Sequence, residues 1–154
     1  MEYLIILLLI LLNGLFAMSE IALVSSKRAR LEEKAKKGST GAKTALKLLD
    51  EPEKFLSTVQ IGITLVGIIA GAYGGLALAN DLVPVLQNFT WLAPYADQAA
   101  IVIVVSIITY LSLIIGELVP KTIAFNNPEG ITITLAPFMK FLSWLTTPIV
   151  VFLS

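Results

Sequence analysis

The sequence predicts an all-α membrane protein with three transmembrane helices, cytosolic juxtamembrane helices, and a proline-interrupted interfacial helix at the C-terminal end. Of its 154 residues, 56% are hydrophobic and 14% are charged, with a mean hydropathy of +0.86. Soluble domains carry about 25% charged residues. Nine of the eleven Lys and Arg residues lie between positions 27 and 54. A single domain of this size and apolarity cannot bury its hydrophobic surface in a soluble core, so the surplus faces lipid.

Three long apolar segments define the predicted spans, at residues 3–25, 53–82 and 99–124. Each holds the roughly 20 apolar residues that a helix needs to cross the hydrocarbon core. The first segment could instead be a signal peptide, but no basic stretch precedes it and Glu2 is acidic. Its apolar run also continues to Val24, further than the core of a signal peptide extends. We therefore predict a transmembrane helix.

The polar block between the first two spans predicts two surface helices, at residues 27–37 and 41–50, separated near Gly38. Its excess of Lys and Arg indicates a cytoplasmic location by the positive-inside rule. A nucleic-acid-binding role does not fit a basic block that is flanked by apolar helices. The loop at 80–98 holds no Lys or Arg and is predicted to lie outside. The N-terminus is then also outside, and we expect a multi-pass protein of the cell (inner) membrane with residues 27–54 in the cytoplasm.

The last apolar segment, residues 131–154, contains Pro137, Lys140 and Pro148. A spanning helix tolerates internal proline only where its neighbours satisfy the freed carbonyl groups. An interfacial or re-entrant helix is therefore favoured over a fourth span. Because the chain ends on an apolar run without a polar tail, we expect it to be part of a longer protein.

The second span carries three glycines at a spacing of four, Gly67, Gly71 and Gly75, and the first two share a helix face with Gln60 and Thr64. Small residues at this spacing let two helices approach closely. They predict either the interface of a two-fold homodimer, the commonest oligomer symmetry, or packing against the first or third helix of the same protomer.

The sequence contains no histidine and no cysteine, which excludes thiolate zinc sites, disulfide bonds and histidine-based acid–base catalysis. It also contains neither a phosphate-binding glycine loop nor a nucleophile elbow. We therefore do not expect an enzyme. A metal site would have to consist of oxygen atoms, which suit hard cations such as magnesium, calcium or sodium.

Two glutamates, Glu20 and Glu117, lie within predicted membrane segments. An ionisable group at membrane depth is expensive, so by default it is a functional residue with a partner or a cavity. Glu20 could also extend to the cytoplasmic edge of the membrane near Lys27. Glu117 could form a local ion pair with Lys121, four residues later on the same helix. The sequence is compatible with both the functional and the structural interpretation of each glutamate.

The residues around the two glutamates could complete an oxygen cage for a hard cation. Pro120 lacks the N–H group that would bond the carbonyl of Gly116, one turn earlier, and so frees that oxygen for a cation. The first helix adds a hydroxyl group, and the second adds a hydroxyl group and carbonyls left accessible by glycine. The predicted metal site consists of Ser19, Glu20, Thr64, Gly67, Gly116 and Glu117.

Three motifs follow one another along the chain, at residues 13–23, 57–67 and 116–121, with Asn127-Pro128-Glu129 after them. In this order and spacing they resemble the transmembrane domain of the CNNM/CorC family of magnesium transporters. The resemblance implies export of magnesium (Mg2+) and leaves coupling to sodium (Na+) influx open. It further implies a homodimer in the lipid bilayer, and cytosolic CBS domains that follow this part of the protein.

By motif, Ser19 and Glu117 are the best candidates for the cation site, with Glu20 and Gly116 next. Many members of the family carry asparagine where this chain has Gly67. Thr64, water or a carbonyl would have to replace that ligand. A competing interpretation makes the chain a membrane anchor and dimerisation module for its own cytosolic domains, with the two glutamates as structural ion-pair or capping residues.

Overall fold

The protein is a bundle of helices in the computed structural model, which describes the backbone of residues 1–153 and the side chains of residues 1–145. No β-strand occurs in this part of the chain. The α-helices are α1 Glu2–Ser25, α2 Arg28–Lys36, α3 Thr40–Asp50, α4 Pro52–Gln87, α5 Ala96–Leu113, α6 Val119–Asn126 and α7 Pro128–Leu153. A 3-10 turn, Ala93–Tyr95, precedes α5, and a π-helical segment, Ile114–Leu118, joins α5 to α6.

Three helical stretches within the described residues are long and apolar enough to cross a membrane: Glu2–Ser25, Pro52–Gln87 and Ala93–Asn126. The predicted all-α membrane fold is thereby confirmed. The second stretch is five residues longer at its C-terminal end than the predicted 53–82. Its 36 residues extend about 54 Å at 1.5 Å per residue, whereas the hydrocarbon core is about 30 Å thick. The helix α4 therefore extends beyond the hydrocarbon core.

The first span, α1, is the centre of the bundle, because it packs against α4, α6, α7 and the π-helical segment. The helices α4 and α5 also pack together along their length. A methyl group added at Gly74 would overlap Ile108, and one added at Gly75 would lie 3.0 Å from Val105. These two glycines thus serve packing within one protomer.

The other two glycines of the predicted stripe, Gly67 and Gly71, face open space within the protomer. The stripe is therefore divided between two surfaces of α4. Its Gly75 end packs inside the protomer, and its Gly67 and Gly71 end is left uncovered. The predicted homodimer remains a prediction, and the uncovered glycines are the ones that a second copy could contact.

The juxtamembrane helices share one hydrophobic core with α1 and α4. Leu31 of α2, Ala45 of α3, Phe55 of α4 and Met139 of α7 are all fully or almost fully buried in it. The first half of α7 lies against both α1 and α3, which fixes the amphipathic α3 to the bundle. On the opposite side of α7, Trp144 is exposed, as expected for a helix at a membrane interface.

The helix α7 begins three residues before the predicted segment 131–154 and continues through Pro137 without a break. Proline cannot donate to the carbonyl of Ile133, one turn earlier. At that point α3 comes so close that a Cβ atom at Gly41 would overlap the Ile133 carbonyl oxygen. The prediction of a helix interrupted at Pro137 is wrong: the helix is continuous there, and α3 packs directly against the freed carbonyl at Gly41. Residue 154 lies outside the described residues.

A buried carboxylate connects α7 to the linker between α1 and α2. The Glu129 side chain is 8% exposed; it accepts the Lys27 backbone N–H at 3.2 Å and lies 3.6 Å from Arg30 Nη1. Nearby, the hydroxyl oxygens of Ser26 and Thr132 are 2.9 Å apart. Burial raises the pKa of Glu129, but the backbone hydrogen bonds and the positive charge of Arg30 outweigh it, so the pKa lies below its ordinary value of 4.5.

We expect Gly41→Ala to destabilise the fold by about 1–3 kcal/mol, because the new methyl group would displace α3 from backbone atoms of α7. The midpoint of thermal unfolding in detergent, followed by circular dichroism, measures this loss. Lys43→Ala changes an exposed residue of the same helix and should stay within about 0.5 kcal/mol of the parent protein. Equal midpoints for the two variants would contradict the proposed close packing.

The lowered pKa of Glu129 predicts a loss of stability in acid. The contribution of Glu129 to the stability of the fold is complete when the pH is above its ordinary pKa of 4.5. It is lost as the pH falls through the lower pKa of the folded state. Thermal unfolding between pH 7 and pH 3 should therefore show a smaller pH dependence for Glu129→Gln than for the parent protein. Glu53→Gln is the control, since Glu53 is exposed at the start of α4. A pH dependence that is identical in all three proteins would contradict this assignment.

Candidate functional site

A cluster of three charged side chains lies near the end of the spans that is closest to the juxtamembrane helices. Lys121 Nζ is 2.7 Å from Glu117 Oε1 and 3.9 Å from Glu20 Oε2. The ammonium group thus lies between a carboxylate of the first span and one of the third. The three side chains are 25–39% exposed, so the cluster is partly open.

The sequence around Pro120 sets the geometry of the third span. The α-helix gives way to a π-helical turn at Ile114–Leu118, directly before the proline, and Pro120 itself is buried. Such π-helical turns widen a helix locally and often occur at functional sites. Here the widened turn contains Glu117, and the α-helix that follows presents Lys121 one turn later on the same side.

The carbonyl of Gly116, which the sequence predicts to be free for a cation, has a partner in the structure. Asn13 Nδ2 of α1 donates a hydrogen bond to the Gly116 oxygen at 3.0 Å. Gly116 also permits close contact between the helices, because a Cβ atom there would lie 3.1 Å from the Ile10 carbonyl oxygen. Asn13 is itself 7% exposed, and its Oδ1 atom has no hydrogen-bond partner among the described residues.

A groove of about 710 Å³ runs along α4 beside the charged cluster. Glu20 lies at its α1 side, and polar side chains of α4 face it at Ser57, Gln60 and Thr64. The remaining lining is aliphatic: Leu56, Ile61, Leu65 and Ile68. The groove thus combines one carboxylate with polar and apolar surface, and two residues of the predicted metal site, Glu20 and Thr64, line it.

Two other predicted ligands lie apart from the charged cluster. Ser19 is fully buried, and its hydroxyl group donates to the Leu15 carbonyl of its own helix at 2.6 Å. Gly67 faces open space on α4. In this conformation Glu20, Glu117 and Lys121 form one cluster, Glu20 and Thr64 share the groove, and Gly116 contacts α1 through Asn13.

Lys121 neutralises part of the negative charge that Glu20 and Glu117 could offer to a cation. Two carboxylates and one ammonium group leave a net charge of −1. Within the described residues, no three Asp or Glu side chains come together to hold a metal ion. A divalent ion here would therefore need both glutamates together with water, hydroxyl or carbonyl oxygens. The local ion pair between Glu117 and Lys121, one of the two sequence interpretations, is present.

Two features of this site are absent from the sequence predictions. One is Asn13, although an amide in an otherwise apolar run is a recognisable signal for a partner within the membrane. The other is the second partner of Lys121, because the sequence shows only its i,i+4 spacing from Glu117. Its second partner, Glu20, is 101 positions away and becomes visible only after the helices pack.

The amino-acid sequence of the chain matches a known protein family. Residues 4–154 match the family model described as the cyclin M transmembrane N-terminal domain, CNNM. The chain is 51% identical over 150 residues to UPF0053 protein sll0260 of Synechocystis sp., covering 97% of this chain and 34% of that protein. It is 32% identical to a polyamine export protein of Haemophilus influenzae, covering 94% and 33%. A polyamine export protein of Escherichia coli K12 is 29% identical, with coverage of 97% and 33%. The chain thus spans about a third of the length of these curated relatives.

We expect Gly116→Ala to lower stability by about 1–3 kcal/mol, because the added methyl group would force α1 and the π-helical turn apart. Thermal unfolding in detergent measures the loss. Ser106→Ala is the control, since it makes a similarly small change on the exposed side of the same span. A Gly116→Ala protein as stable as this control would mean that the two helices are not in close contact.

Proposed function

Because the chain belongs to the cyclin M transmembrane N-terminal domain family, we propose that it transports magnesium ions across the membrane and that Glu117 and Glu20 bind the ion. Membrane transport in general follows from the family and from the three apolar spans. The charged cluster is the observation that supports a cation as the cargo, because two carboxylates of different spans face a single positive group.

The electrostatic argument concerns the loss of water. A doubly charged ion cannot enter the membrane unless anionic oxygen replaces part of its hydration shell. Mg2+ usually keeps several waters and binds one or two carboxylates, which is the number that this cluster provides. In the proposal, hydroxyl groups of Ser19 and Thr64 and carbonyls at Gly67 and Gly116 come closer when the ion binds.

The proposed direction is export from the cytosol, with sodium influx as the candidate driving flux. The cluster lies at the same end of the spans as the basic juxtamembrane helices, since α2 begins three residues after α1 ends. If this end is cytoplasmic in the cell (inner) membrane, as the excess of Lys and Arg favours, the cluster opens to the cytosol. The N-terminus is then outside.

We further propose that two copies form a homodimer. The surface of α4 that bears Gly67 and Gly71 is uncovered, and Gln60 and Thr64 are exposed on the same helix. Polar side chains that face lipid are unfavourable, so a second copy is a suitable cover. Cytosolic CBS domains are proposed as the remaining partners, since the chain spans about a third of the length of its curated relatives.

A polyamine is the second candidate cargo, and one observation favours it. Lys121 already places a primary ammonium group on an alkyl stem between Glu20 and Glu117. The end of a polyamine has the same chemistry. The neighbouring groove, with its aliphatic lining and the Glu20 carboxylate, could hold methylene groups. Two similar proteins are named polyamine export proteins.

Flux measurements in proteoliposomes decide between these cargoes. We expect the parent protein to carry magnesium across the vesicle membrane and Glu117→Gln to lower this flux at least tenfold. The substitution keeps the size of the side chain but removes its charge. Glu33→Gln, an exposed change in α2, should transport normally. Circular dichroism checks that each variant is folded.

The other outcomes have equally definite meanings. Spermidine flux without magnesium flux, lost in Glu117→Gln, would establish the second candidate and overturn the first. If no cation moves through the folded protein, the chain is a membrane anchor and dimerisation module. Normal magnesium flux in Glu117→Gln would mean that Glu117 does not bind the ion and serves only in the ion pair with Lys121. A comparison with and without a sodium gradient tests the coupling.

A further inference from the structure

We propose that Lys121 is an internal competitor of the transported cation and limits how tightly a divalent ion can bind. Its ammonium group occupies the space between Glu117 and Glu20, so it has to move aside before one ion can contact both carboxylates. This inference rests on the proposed function. It assigns Lys121 a role in affinity and selectivity that differs from that of a ligand and from that of a structural ion pair.

The contacts of Lys121 are unequal, which suits a group that has to move. Nζ is at hydrogen-bond distance from Glu117, 2.7 Å, and at 3.9 Å from Glu20 it makes only an electrostatic contact. The charge sits at the end of a flexible four-carbon stem. The ammonium group can therefore swing away from Glu20, or from both carboxylates, while the helix stays in place.

The position of Lys121 also makes its charge more effective than that of the other paired lysines. Its side chain is 27% exposed, compared with 35% for Lys54 and 71% for Lys37 in their ion pairs. Water screens charges less where a group is more buried. Among the lysine ion pairs of the described residues, this is the one in which an ammonium group faces carboxylates of two different spans.

The charges predict a dependence on the valence of the ion. With Lys121 in place the cluster carries a net charge of −1, and without it −2. Repulsion between Lys121 and an incoming ion is proportional to the charge of that ion. Moving the ammonium group away from the carboxylates costs the same free energy for either ion, whereas the repulsion that remains is twice as large for Mg2+ as for Na+. Removing Lys121 should therefore raise the affinity for Mg2+ more than the affinity for Na+, and at most by the square of the ratio for Na+.

A transporter benefits from such a competitor. Two uncompensated carboxylates would hold a divalent ion tightly, and transport requires that the ion also leave. The returning ammonium group would help to displace the ion by neutralising the carboxylates again. Lys121 would thus exchange with the cargo in each cycle, and its removal should improve binding without improving turnover.

The test is binding calorimetry on the purified protein with MgCl2 and NaCl, at constant ionic strength. For Lys121→Met we expect affinity to rise about tenfold for Mg2+ and about threefold for Na+, on the scale of partly exposed ion pairs. In proteoliposomes, the magnesium concentration at half-maximal flux should fall while the maximal flux does not rise. Lys121→Gln is the second variant, for use if Lys121→Met does not fold, because glutamine keeps an N–H donor for Glu117.

Two controls separate charge in the cluster from charge in general. Lys43→Met removes a lysine charge at an exposed position of α3 and should leave both affinities unchanged. Lys121→Arg keeps the charge and should bind Mg2+ no more tightly than the parent protein. A rise in affinity for Lys121→Arg would contradict competition by charge.

The remaining outcomes distinguish this inference from the proposed function. If the parent protein binds Mg2+ and the Lys121 variants bind it with unchanged or weaker affinity, Lys121 is a structural partner and the inference is overturned. Equal affinity gains for Mg2+ and Na+ would overturn the dependence on valence. If neither the parent protein nor the variants bind a cation, the proposed function fails and the inference fails with it.

Discussion

The hydrogen bond from Asn13 to the Gly116 carbonyl is the interaction on which the arrangement of the site depends. Pro120 takes away the donor that an α-helix would offer this carbonyl, and a bilayer has no water to replace it. The span responds with a π-helical turn and a bond to the neighbouring helix. That bond fixes the first span against the third, and the turn orients Glu117 and Lys121 toward Glu20.

The same problem occurs a second time at Pro137, with a different solution. There the carbonyl of Ile133 is left without its helical donor, and Gly41 lets α3 pack directly over it. At Pro120 the freed carbonyl accepts a hydrogen bond from Asn13, whereas at Pro137 the freed carbonyl lies against the backbone of Gly41. The two sites hold different layers together: Gly116 joins two spans, and Gly41 joins the juxtamembrane helices. The Glu129 carboxylate then connects this second layer to the end of α1.

The charged cluster gives the two candidate cargoes a common physical basis. Magnesium and a polyamine differ in size and hydration, but both need carboxylates that can exchange one positive group for another. In the proposal, this exchangeable group is Lys121, which lies between Glu20 and Glu117. Its ammonium group lowers the net charge of the cluster from −2 to −1 when no cargo is bound, which lowers the desolvation cost of two carboxylates.

The sequence by itself determined the three spans, the basic juxtamembrane block and the location of Glu20 and Glu117 within the spans, because hydropathy and charge are local properties of the chain. It also gave the ion pair of Glu117 with Lys121, whose spacing is that of one helical turn. Only the tertiary structure decided that Asn13 bonds Gly116, that Lys121 faces Glu20, and that α7 continues through Pro137. These contacts join residues about a hundred positions apart, and their partners are chosen by how the helices pack, which no local pattern encodes.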